Sequence, residues 1–128
     1  MSMTKSQEWA ERIHAVLPRG CSTNSKAAIE TYKEQNVIAH LWDKGERLAR
    51  GLSSLFEKHG VPMECCGYLS CPMIQVQQGA PADLLERFLR GCYRNGVSFY
   101  TLAYVNFSHQ DADIDETLER VGKGIQGL

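Results

Sequence analysis

Residues Gly96–Leu118 read GVSFYTLAYVNFSHQDADIDETL, and this stretch decides the fold class. An apolar, strand-forming run holding Val97, Phe99, Tyr104, Val105 and Phe107 stops at Ser108-His109. Carboxylates follow at Asp111, Asp113, Asp115 and Glu116. Acidic side chains are favourable in a first helical turn, where unpaired N–H groups and the helix dipole concentrate positive charge. The stretch therefore predicts strand, turn, then helix. The helix is expected over 112–125, because Ile114, Leu118, Val121 and Ile125 fall on one stripe.

Working outward from it, 97–100 and 103–107 are expected to be strands. Residues 82–95 are expected to form a helix with Leu84, Leu85, Phe88, Leu89 and Cys92 on its buried side, ended by Asn95-Gly96. Residues 61–68 and 71–76 are short and rich in strand formers, fitting two adjacent strands or one bent strand. Upstream, 37–59 carries the clearest helical rhythm, with Val37, Ile38, Leu41, Trp42, Leu48, Leu52, Leu55 and Phe56, and Gly60 stands where a left-handed residue stops a helix. Two further helices are expected at 6–17 and 26–35, separated by Pro18-Arg19-Gly20 and a run of helix-capping residues. Helices and strands grouped in this way predict an α+β fold, a small and largely antiparallel sheet with helices packed on one face.

At 128 residues the chain is long enough to bury a core without metals or disulfides. Hydrophobic residues make up 43%, charged residues 23%, and the net charge is −1 with no basic block, which argues against nucleic acid and anionic membrane surfaces as partners. No apolar run is long enough to span a bilayer, and the first residues lack the apolar core of a secretory leader, so a cytoplasmic location is expected. The five cysteines, Cys21, Cys65, Cys66, Cys71 and Cys92, are odd in number and match no paired zinc spacing. They read as reduced thiols, with Cys65 and Cys66 on opposite faces of a strand and one of them in the core. No metal site is expected.

Four pieces in order resemble the C-terminal small domain of class III pyridoxal-phosphate-dependent aminotransferases, the family that includes glutamate-1-semialdehyde aminomutase-like enzymes. They are Ala39–Leu48 (AHLWDKGERL), Gly67–Pro72 (GYLSCP), Leu89–Val97 (LRGCYRNGV), and Asn106–His109 followed by Asp113-Ile114-Asp115 and Thr117-Leu118. The resemblance implies the aminotransferase-like domain over 25–128, and the residue pattern leaves 1–24 as an N-terminal helix and linker. It implies pyridoxal phosphate as cofactor of the full-length family, with none bound by this chain alone, because the family's Schiff-base lysine lies in a large domain that has no counterpart here. By the same resemblance Thr23 is the candidate for the cofactor phosphate, Arg90 and Arg94 are candidates for a substrate carboxylate, and no residue is assigned a catalytic role. The expected partners are a second copy or a separate large-domain subunit.

The six lysines, Lys5, Lys26, Lys33, Lys44, Lys58 and Lys123, lie on polar helix faces or near termini, without the apolar surroundings that lower an amine's pKa for Schiff-base chemistry. His109 is expected to bond backbone near the start of the last helix rather than to act as a base, and His40 to lie on the surface. The acidic run 111–116 lacks the mid-loop glycine and distant glutamate of a calcium loop. Trp9, Trp42 and Tyr104 are where an apolar surface toward a larger partner is expected. Three readings follow: the small domain of an amino-group-transfer enzyme, a free-standing module that associates with itself or a partner without catalysis, and a small-molecule binder with its pocket between sheet and helices.

Overall fold

The structure, a computed structural model, describes Gln7 and residues 32–128. Ala39–Leu128 forms one compact unit, and residues up to Ile38 fall in another. The expected helix over 6–17 and most of that over 26–35 lie outside the described residues. So does Thr23.

The element order is α1 (Val37–Lys58), β1 (Met63–Tyr68), β2 (Cys71–Val76), α2 (Leu84–Arg94) and α3 (Asp111–Ile125). The α+β class is the one the sequence predicts. Leu48, Leu52 and Phe56 recur along α1 at spacings of four and are buried, while Trp42, which the periodicity places on the same stripe, is 43% exposed. Gly60, at φ +61°, adopts the left-handed conformation expected after α1.

β1 and β2 form an antiparallel hairpin with Cys65 opposite Ile74, Cys66 opposite Met73 and Tyr68 opposite Cys71. Period-two alternation sends Met63, Cys65 and Ile74 toward the core and Cys66, Tyr68 and Met73 to the outer face. Among the described residues the helices therefore cover one side of the sheet, as an antiparallel sheet permits.

The two strands expected at 97–100 and 103–107 do not form as strands. The segment is extended and touches β2 through a single bridge, Met73 to Leu102. Two backbone bonds hold it: Ile74 N–H donates to the Thr101 carbonyl at 2.7 Å and Ala103 N–H to the Pro72 carbonyl at 2.9 Å. Pro72 explains why the ladder is incomplete. Its carbonyl faces this segment, but it has no N–H to return to Ala103, so one rung of the pair is missing.

The core joins every element: Leu48, Leu52 and Phe56 of α1, Met63 and Ile74 of the hairpin, Phe88 and Cys92 of α2, Val97, Ala103 and Val105 of the extended segment, and Ile114, Val121 and Ile125 of α3. Phe56 meets Phe88 edge-on at 5.5 Å between ring centroids, a favoured aromatic geometry. α2 and α3 cross where Gly91 meets Gly124. A Cβ built at Gly91 would lie 2.8 Å from the Gly124 carbonyl oxygen, so backbone meets backbone with no room for a side chain.

Candidate functional site

Two features stand out around the start of α3: a polar clasp to α1 and an open cleft beside the extended segment. The clasp comes from three residues of α1, His40, Lys44 and Arg47, spaced along one helix face. His40 Nε2 donates to the His109 carbonyl at 2.8 Å, which requires a proton on Nε2, and its ring packs edge-on against Phe107 at 5.0 Å. His40 is thus half-buried at a contact rather than the surface residue the sequence suggests, because the loop 106–110 folds over it.

Lys44 corrects a second expectation. It is 9% exposed, the one charged residue in the buried set of the described chain. Its Nζ donates to Asp111 at 2.6 Å and to Asp43 at 2.7 Å. These carboxylates hold the ammonium, with Asp111 the larger influence, and raise the Lys44 pKa above the ordinary lysine value. Lys44 in turn holds Asp111 below the usual carboxylate range. Arg47 grips Asp115 with two bonds of 2.8 Å, a fork-to-carboxylate pairing that lowers the Asp115 pKa.

The turn into α3 is self-contained. Asn106 Oδ1 accepts from the Ser108 N–H at 3.0 Å and the Ser108 hydroxyl at 2.6 Å. His109 Nδ1 accepts from the Asn106 N–H at 3.2 Å, the backbone role expected for this histidine. Asp113 Oδ2 accepts from the Gln110 N–H at 2.7 Å, half of a capping box with an aspartate in the glutamate's place.

The cleft, of about 740 Å³, lies between the segment 97–105 and α3, with Leu48 reaching in from α1. Arg120 crosses its mouth over Gly96, where a Cβ would collide with the guanidinium, and is held by Glu116 at 2.5 Å. Thr117 Oγ1 donates to the Asp113 carbonyl at 2.7 Å. The polar side chains α3 presents to the cleft are therefore engaged in holding α3 itself, and the groove offers mainly the extended backbone and its tyrosines.

Arg90 and Arg94 lie four residues apart on α2, both exposed and outside this cleft, with Arg90 paired to Glu86. Lys44, Arg47 and Arg120 were not read from the sequence as structural anchors. The Glu116–Arg120 spacing of four was the signal for Arg120, whereas Lys44 and Asp111 are too far apart in the chain for any local pattern to pair them. Among the described residues no His, Cys, Asp and Glu group is arranged to hold a metal, and no helix is long and apolar enough to cross a membrane. Of the described lysines, Lys44 is fixed as an ammonium and Lys123 is paired with Glu119 at 2.7 Å. A charged Lys44 is the opposite of the neutral amine an aldimine requires, so Lys44 does not fit the covalent attachment of pyridoxal phosphate.

No protein-family model matches the chain. It is similar to glutamate-1-semialdehyde 2,1-aminomutase of Desulfitobacterium hafniense, 29% identical over 117 residues, covering 80% of this chain and 27% of that protein. It is similar to the enzyme of the same name from Thermus thermophilus, 27% identical over 114 residues, covering 77% of this chain and 27% of that one. Among solved structures, the internal aldimine form of the Sphingopyxis sp. MTA144 FumI protein superposes with a TM-score of 0.65 at 21% identity, over 77% of this chain and 24% of that chain. The chain spans about a quarter of the length of the curated relatives it matches.

Proposed function

We propose that this chain, which is class III pyridoxal-phosphate aminotransferase-like in sequence and fold, is the C-terminal small lobe of an amino-group-transferring enzyme, with residues 25–128 as the lobe and 1–24 as a leading helix and linker. The observation that carries the reading is the joint match of sequence and fold to one quarter of such enzymes, in the order Gly-Glu-Arg-Leu helix, hairpin, Arg-Gly helix and Ser-His turn. On this reading the lobe works against a larger lobe that supplies the cofactor lysine, and does not transfer amino groups by itself. Thr23, Arg90 and Arg94 keep the roles the resemblance gives them, and the two exposed arginines wait for a larger lobe to face.

The experiment is an amino-transfer assay of the 128-residue chain with pyridoxal phosphate and a panel of amino donors. No turnover is expected from the chain alone, and turnover is expected once a relative's large lobe is supplied. Turnover by the chain alone would overturn the reading. A second reading, a non-enzymatic module that associates with itself or with a partner, is favoured by the outer sheet edge at 98–105, which no backbone group of the described residues meets.

A further inference from the structure

We propose that Tyr100–Tyr104 is a self-recognition edge, through which two copies of this chain pair antiparallel with Leu102 of one copy facing Leu102 of the other. Thr101 and Ala103 turn their polar groups toward β2, since the Thr101 carbonyl accepts from Ile74 and the Ala103 N–H donates to Pro72. In an extended chain neighbouring residues present these groups to opposite edges. Tyr100, Leu102 and Tyr104 therefore present theirs to the outer edge. Among the described residues no backbone partner meets them there. A row of bare donors and acceptors is a template for another strand.

The choice of a second copy rests on the edge itself. Its sequence, Tyr-Thr-Leu-Ala-Tyr, is close to a palindrome about Leu102. Antiparallel pairing of two identical strands creates a two-fold axis, and a two-fold interface must complement itself. Centred on Leu102, the pairing sets each Tyr100 opposite a Tyr104 and lets the three residues of each copy exchange about six N–H···O bonds. The two tyrosine pairs are cross-strand aromatic pairs, which stabilise a sheet. Both rings are free to make them, Tyr100 being 79% and Tyr104 71% exposed. Leu102 meets Met73 across the bridge, and Met73 is itself 37% exposed, so the join extends an apolar row already on the outer face.

Charge points the same way. No residue from Gly96 to Ser108 is charged. The helices, by contrast, carry ion pairs on their exposed faces: Glu46–Arg50, Glu86–Arg90, Glu116–Arg120 and Glu119–Lys123. Monomeric proteins commonly guard an edge strand with lysine or proline. This edge has neither, so two copies meet without like charges opposed. The inference rests on the second reading and names its self-associating edge, and a chain that fails to dimerise leaves the enzyme-lobe reading to the amino-transfer assay.

The test is sedimentation equilibrium of the full chain over a range of concentrations, alongside two variants. In Tyr100→Lys/Tyr104→Lys each lysine would face a lysine of the second copy; in Tyr100→Glu/Tyr104→Glu each glutamate would face a glutamate. The native chain is expected to form a dimer, and each variant alone to weaken it about tenfold or more. An equimolar mixture of the two variants is expected to recover it, because lysine then faces glutamate. Both sites are exposed, so the fold should survive, as circular dichroism would verify. A native chain that stays monomeric, a dimer indifferent to both variants, or a mixture that fails to recover association would each overturn the proposal.

Discussion

Single residues show how burial sets reactivity. Cys92 is fully buried and its thiol is pushed up to about 12 by desolvation; Cys65, against the core, is pushed up to about 11 by the same cause, partly offset by a bond to Ser53. At pH 8 only about one Cys92 in ten thousand would be thiolate. Alkylation of the native protein should therefore label Cys66 and Cys71, on the outer face of the hairpin, and leave Cys92 unmodified until the chain unfolds. Mass spectrometry of partly alkylated protein checks the order. The clasp makes a second prediction. The folded-state pKa of Asp111 lies below its unfolded value, so its contribution is present above the unfolded pKa and is lost as pH falls through the folded one. Asp111→Asn should lower the melting temperature at pH 7, and the gap to the native protein should narrow as acid removes the native charge. The split of Cys65 and Cys66 between faces was legible in the sequence because alternation is local. The burial of Lys44 was not, since its partner Asp111 comes to it only through the packing of α3 on α1.

At the level of elements, α1, α2 and α3 follow their apolar periodicity to within a residue or two at each end. The strands at 97–100 and 103–107 did not follow theirs. Their composition is right for strands, but a ladder also needs donors on the neighbouring edge, and Pro72 withholds one. The α2–α3 crossing was illegible for a different reason: a glycine within a helical pattern reads as a weak helix position, not as a point of contact. Gly124→Ala separates the two meanings. The helix-propensity gain is at most about 1 kcal/mol. Forcing a methyl to within 2.9 Å of the Gly91 carbonyl carbon should cost about 1–3 kcal/mol. Net destabilisation is expected in urea unfolding, whereas Gly127→Ala, with its nearest neighbour at 3.8 Å, should be close to neutral. Removing the ring that ties α2 to α1 is more severe: Phe88→Ala should cost about 3–5 kcal/mol in the same measurement.

Among the described residues, the core draws on every element, the sheet has one covered face, and one of its edges is bare. Of the proposed site, the Ser-His turn and the acidic helix start were readable from sequence, because both are local capping chemistry. The cleft was not, because its walls come from the extended segment, α3 and Leu48 of α1, which meet only in the tertiary fold. On the proposed reading the chain holds no cofactor through its own lysines, and reductive trapping would reveal any lysine that does. The full chain would be incubated with pyridoxal phosphate, reduced with borohydride, digested and read by mass spectrometry across all six lysines. Scattered, substoichiometric adducts are expected, with no preferred lysine and least of all Lys44. One lysine carrying a stoichiometric phosphopyridoxyl group would contradict that reading.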